Sequence, residues 1–178
     1  MNKKLQQEFD ALEKSRIELF NILDKLDASS MNKQPDANSW SVVQVMDHLI
    51  LAEHNSLLYM KKKLSVTDKF KKSNLNTLWR LFLLKAALNL PMKWKAPKIV
   101  ADARNEKNYE QAKAAWIEVR NGLRDLLEQF PEQYLDSEIF KHPLAGKFTV
   151  VQALSFMHTH FNHHLKQIDR IKKSLNLN

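Results

Sequence analysis

Four of the seven histidines fall in one short stretch, His158-Thr159-His160-Phe161-Asn162-His163-His164. His160 and His164 are four residues apart. On an α-helix that spacing sets two imidazoles about one turn apart on the same face. Two nitrogens so placed can grip one cation if a third ligand arrives from elsewhere. His48, in Val45-Met46-Asp47-His48-Leu49, is the candidate. Burying such a group is costly unless something uses its lone pairs. Three neutral imidazoles leave a fourth coordination position open, the arrangement of a catalytic zinc rather than a closed structural one. Zinc is the first choice of divalent ion, and nickel, iron or manganese tolerate the same donors. The plain alternative is an exposed pair of histidines with no ligand. His54 and His142, taken singly, read as hydrogen-bonded histidines rather than ligands.

The second ring nitrogen of each ligand needs an acceptor to orient it. Gln167 and Asp47 are close enough in sequence to be considered. Other chemistries fit worse. A di-iron carboxylate bundle needs Glu-x-x-His pairs, and no glutamate here has a histidine three residues on. A zincin needs His-Glu-x-x-His, and no glutamate stands between His160 and His164. No nucleophile elbow supports Ser-His-Asp catalysis. The chain has no cysteine, which excludes disulfides, Cys-ligated zinc and a Cys nucleophile.

Helices must position these residues. Only two glycines occur, Gly122 and Gly146, too few for hairpin-rich β architectures or glycine-lined phosphate loops. Leu5, Phe9, Leu12, the stem of Arg16, Leu19, Phe20, Leu23 and Leu26 mark a first amphipathic helix over 3–27. A loop runs to Pro35. Ser41-Val42-Val43-Gln44 is a capping box opening a second helix to about Leu64, with Trp40 placed to staple against Val45. Leu75 to Leu90 reads as a shorter helix ended by Pro91. Met92 to Ala103 reads as extended or irregular. Tyr109, Ala112, Trp116, Val119, Leu123, Leu126, Leu127 and Phe130 line a helix over 105–129. Pro143 and Gly146 mark a loop, after which Thr149-Val150-Val151-Gln152 caps the last helix. The expected fold is all-α, one domain over 1–178: an up-down four-helix bundle with an extra short helix in the crossover.

Charge is unevenly placed. The chain carries +8, yet 61–98 holds eleven Lys/Arg against one acid, Asp68, a net +10 that leaves the remainder at −2. Such a belt can attract nucleic acid, anionic lipid or an acidic ligand. Lysine dominates and no nucleic-acid motif accompanies it, so a solvated connection between helices is the simpler reading and no specific nucleic-acid partner is expected. The N-terminus lacks the apolar region of a signal peptide, and the most apolar run, Leu81 to Leu90, is too short to span a bilayer. A cytoplasmic protein without membrane insertion is expected.

Three stretches give a family likeness. Trp40-Ser41-Val42-Val43-Gln44-Val45-Met46-Asp47-His48-Leu49 is similar to a Trp-Ser-x6-His-Leu pattern. His142-Pro143-Leu144-Ala145-Gly146-Lys147-Phe148-Thr149 is similar to a His-Pro-x-x-Gly-x-x-Thr/Ser lead-in. His160, His164 and Gln167 follow a His-x3-His-x2-Gln pattern. In these the chain resembles the DinB-like (DinB/YfiT) superfamily of metal-dependent enzymes. The resemblance implies a four-helix bundle with a divalent metal on His48, His160 and His164. It also implies a homodimer and a small-molecule substrate, with a low-molecular-weight thiol among the candidates. The function expected is a thiol-dependent S-transferase or a hydrolase. The alternative is a non-catalytic, stress-linked bundle that binds metal or ligand. His163 reads as a neighbour of the ligands. Glu53 as a base, and Asn55 and His163 as groups orienting a substrate, are further candidates.

Overall fold

The computed structural model describes residues 1–66, 69–90 and 105–177. Among the described residues five α-helices are seen, α1 (Lys3–Leu23), α2 (Val42–Val66), α3 (Leu75–Asn89), α4 (Tyr109–Glu128) and α5 (Val150–Ser174), with a hairpin of β1 (Phe140–His142) and β2 (Gly146–Phe148). The expected extended stretch from Met92 to Ala103, and Pro91 at its edge, lie outside the described residues. Four helices form the bundle. α1 packs on α4 and α5, and α2 packs on the same two, so α1 and α2 occupy opposite corners. α3 stands outside, against α5 and β2.

Local chemistry explains the helix ends. Ser41 Oγ accepts from Gln44 N at 3.1 Å while Gln44 Oε1 accepts from Ser41 N at 2.9 Å, the reciprocal box read from the sequence. Thr149 and Gln152 do the same before α5. The first helix stops at Leu23, short of the expected residue 27. Asp24 turns out of the helix to take Lys113 Nζ at 2.6 Å and the Tyr109 hydroxyl at 2.7 Å. Asp27 then caps a 3₁₀ turn, Ala28–Ser30. α4 begins at Tyr109 rather than residue 105, because Asn108 and Gln111 form another capping box there.

The hairpin occupies the stretch expected as a loop. Its register pairs Phe140 with Phe148, Lys141 with Lys147 and His142 with Gly146. Gly146 sits at φ +84°, and a Cβ there would lie 2.7 Å from the Arg80 guanidinium. The left-handed backbone there favours glycine, while the end of the Arg80 side chain could shift for a Cβ.

The core has two apolar clusters. One holds Phe20, Met46, Leu49, Trp116, Phe161 and Ile168; the other holds Phe9, Leu123, Phe148, Leu154, Phe156 and Met157. Along α5 the boundary falls between Met157 and Phe161, so His160 lies where the clusters meet. Among the described residues no helix is long and apolar enough to cross a membrane.

Candidate metal centre

α2 and α5 pack side by side and bring His48 to His160 and His164. One ring nitrogen from each lies within 4.8 Å of the other two. His160 Nε2 is 3.3 Å from His48 Nε2 and 3.1 Å from His164 Nε2. His48 is 3% exposed and His164 9%. Trp40 covers His48 with ring centres 5.3 Å apart, and Phe156 stacks on His160 at 5.6 Å and 15°. Trp40 thus reaches the site as well as the core.

Proton placement exposes the lone pairs. His164 Nδ1 lies 2.8 Å from Gln167 Oε1, an acceptor, so Nδ1 carries the hydrogen and Nε2 offers a lone pair inward. Burial holds His160 and His164 neutral. It is the largest cause pushing His164 down to about 3 and His160 well below its ordinary value, and the charges of neighbouring histidines add to both shifts. One proton shared between two rings is the most the three facing nitrogens can use among themselves.

A divalent ion fits this donor set. Imidazole nitrogens on tetrahedral zinc sit about 2.0–2.1 Å from the metal, hence about 3.3 Å from each other. The observed 3.1 and 3.3 Å match. All three donors are imidazole nitrogens, and an aromatic ring backs two of them.

The remaining candidates separate cleanly. Gln167 takes the orienting role expected of it. Asp47 instead pairs with Lys107 Nζ. Glu53, five residues after His48 and so on another side of α2, is buried. Its Oε2 accepts from Arg120 Nε at 2.6 Å and Trp116 Nε1 at 3.0 Å, and its Oε1 from Arg120 at 2.7 Å. Both oxygens are engaged, so Glu53 is a structural acid rather than the base considered above. Asn55 is half-buried two turns along from His48 on the same face. His163 Nδ1 donates to the Leu88 carbonyl at 2.7 Å and ties α5 to the end of α3. His54 is exposed.

His142 was read as an ordinary histidine, and its surroundings are specific. Its Nδ1 accepts from Leu144 N at 3.2 Å and Ala145 N at 3.0 Å. The hydrogen therefore sits on Nε2. Burial lowers the ring to about 4, so it is neutral near pH 7. It meets Phe156 edge-on at 4.7 Å, on the ring that stacks on His160. The His-Pro-x-x-Gly spacing was the available signal, since a turn placed there returns its amides to the histidine.

Comparison with known proteins agrees with this architecture. The profile of the DinB superfamily matches residues 11–168. The uncharacterized protein YuaE of Bacillus subtilis (strain 168) is 25% identical over 164 residues, covering 90% of this chain and 94% of its own. The solved structure of YfiT from Bacillus subtilis has a TM-score of 0.63 at 18% identity, over 100% of this chain and 91% of that one. YfiT is described as a probable metal-dependent hydrolase with an unusual four-helix bundle topology. At that identity the likeness is one of fold.

Proposed function

The chain belongs to the DinB superfamily, and on that premise we propose that it is a divalent-metal-dependent enzyme of hydrolase or S-transferase type acting on a small molecule. His48, His160 and His164 hold the ion. The observation that carries this reading is the convergence of one ring nitrogen from each of the three histidines within 4.8 Å, with His160 Nε2 at 3.1 and 3.3 Å from the other two. The description of YfiT as a probable metal-dependent hydrolase supports it. When bound there, a dication supplies Lewis acidity toward a water, a thiol or a carbonyl oxygen.

The chain's own residues have distinct work. Gln167 fixes the tautomer and ring plane of His164. Trp40 and Phe156 exclude water beside the rings, which strengthens any charge interaction there. His142 offers a neutral Nε2–H as a donor to a substrate oxygen on the hairpin side. The charged group bearing on His164 besides its histidine neighbours is Arg170. A dication held there, with Arg170 nearby, would favour an anionic substrate or a nucleophile that ionises easily, such as a thiol. Water and thiol distinguish the two forms of the reading.

Elemental analysis of protein purified without a histidine tag tests the assignment, followed by turnover assays with activated esters and with thiol plus electrophile. About one divalent ion per chain, lost in His164→Ala with the helical spectrum retained, is the expected result. Full metal content in that variant would refute the ligand set. Stoichiometric metal without turnover in either assay would favour a metal-binding bundle that is not an enzyme.

A further inference from the structure

A helix packed on a core buries one apolar stripe. α3 carries two. Thr77, Leu81, Leu84 and Leu88 recur at three- and four-residue spacing and turn inward. Leu75, Leu78, Trp79, Phe82 and Leu83 recur at similar spacing on the other side and face solvent. Leu75 is 83% exposed, Trp79 58% and Phe82 59%. The Trp79 and Phe82 rings stack with centres 5.5 Å apart. Scattered exposed apolar residues are ordinary, but five on one helical face, two of them aromatic, form a contiguous patch of the kind that marks an interaction site.

The charge around this face selects among partners. Lys61, Lys62, Lys69, Lys71 and Lys72 are exposed ahead of α3. Leu75 and Leu78 share a surface depression with Lys4 and Lys72, and with the acids Glu132 and Asp136. Arg80 pairs with Glu138 at 3.8 Å and Lys85 donates to Ser155 Oγ at 3.0 Å, so the exposed lysines ahead of the helix supply the charge. Joining two copies through α3 would set the exposed Lys69, Lys71 and Lys72 of each near those of the other, a repulsive arrangement. Nucleic acid would satisfy the lysines and leave Leu75, Leu78 and Leu83 in water. An anionic bilayer offers both negative charge and hydrocarbon. The 15 residues of α3 make a helix about 22 Å long, shorter than a hydrocarbon core of about 30 Å, so it would lie on the surface.

We propose that the outward face of α3 seats this protein on an anionic lipid surface, with Trp79 and Phe82 at the acyl boundary and the neighbouring lysines among the headgroups. The inference is independent of the metal centre. The test is flotation of the full chain with phosphatidylcholine vesicles, with and without phosphatidylglycerol. Binding to the phosphatidylglycerol vesicles is expected. It should weaken roughly tenfold or more in Trp79→Ala/Phe82→Ala, and by up to about fivefold for each of Lys69, Lys71 and Lys72 changed to Gln.

No binding to the anionic vesicles overturns the proposal. Binding unchanged in the aromatic double variant also overturns it, since charge alone would then suffice. So does a solution dimer that the double variant splits and that ignores vesicles, which would assign the face to a second copy. If the double variant melts early, Trp79→Phe provides the second measurement. Brominated acyl chains should quench wild-type fluorescence more than that of Trp79→Phe, and equal quenching in the two counts against the proposal.

Discussion

Two buried polar clusters lie in the same bundle, and they are satisfied in opposite ways. In the first, Arg120 on α4 holds Glu53 of α2 through two hydrogen bonds and Glu13 of α1 at 3.1 Å, and Arg16 pairs with Glu13 at 2.7 Å. Two acids meet two bases, and Trp116 fills the remaining site on Glu53. In the second, three imidazoles meet, with His160 Nε2 3.3 Å from His48 Nε2 and 3.1 Å from His164 Nε2, and His164 Nδ1 turned to Gln167. The first cluster is complete as protein. The second, on the function proposed above, takes a cation. A buried group that balances its own charges is built for structure, and one that leaves lone pairs converging is built for a ligand.

The sharpest way to separate them is to break the first. Arg120→Ala strands Glu53 and Glu13 in the interior. Removing one partner of a buried pair costs about 3–5 kcal/mol. Urea melts should show that loss while metal content per folded chain stays the same. A loss below about 1 kcal/mol would mean that the network is as dispensable as a surface ion pair.

Removing the cation should reverse the pattern. Chelator is expected to lower the melting temperature of the wild type and to leave His164→Ala unmoved. At a free metal concentration of about a thousand times Kd, the ion stabilises the fold by about 4 kcal/mol. Calorimetry with and without chelator reads the difference. Equal responses in the two proteins would erase the distinction between the clusters.

Acid separates the clusters by pH window. Metal-free His160 and His164 are held neutral by burial, with His164 at about 3, whereas in the unfolded chain they protonate near 6.5. The unfolded chain therefore binds more protons between those values. Stability is full above about pH 6.5 and declines as pH falls toward 3. Glu13 behaves differently. Burial raises its pKa, but Arg16 and Arg120 outweigh that and hold it below 4.5, so its contribution is lost only under stronger acid. His142 and His158 are also lowered by burial, so the comparison must be internal. His160→Gln should flatten the metal-free stability slope between pH 6.5 and 5 by up to about 1.4 kcal/mol per pH unit. An unchanged slope would show that His160 is not held neutral.

The same contrast explains what could be read without coordinates. Capping boxes at Ser41 and Thr149 are local, so four residues disclose them. His160, His164 and Gln167 lie within two turns of one helix, and helical spacing alone groups them. His48 was reachable because it sits on an amphipathic helix of the right length. The Arg120 network joins residues 67 and 107 positions apart, and no spacing rule links them. Glu53 consequently looked like a base when it was an anchored acid. The hairpin has three residues per strand, too few to show a two-residue period. α1 stopped early because Asp24 had partners on α4 that lie 85 and 89 residues away.

The smallest expected effect probes the point where the clusters are most alike, the single hydrogen bond to a neutral side chain. Gln167 gives His164 Nδ1 an acceptor at 2.8 Å, just as Trp116 gives Glu53 a donor at 3.0 Å. If the histidine cluster is a ligand site, Gln167→Leu leaves all three nitrogens in place and frees one ring to turn or change tautomer. Metal affinity should then fall about 10- to 100-fold, the usual cost of losing a group that orients a ligand. Stoichiometry at saturating metal should stay at wild-type level. Competition against a chelator of known affinity measures the shift. If affinity holds while melting temperature drops, Gln167 serves the fold as Trp116 does, and the ligand geometry is set by the packing of Phe156 and Trp40 instead.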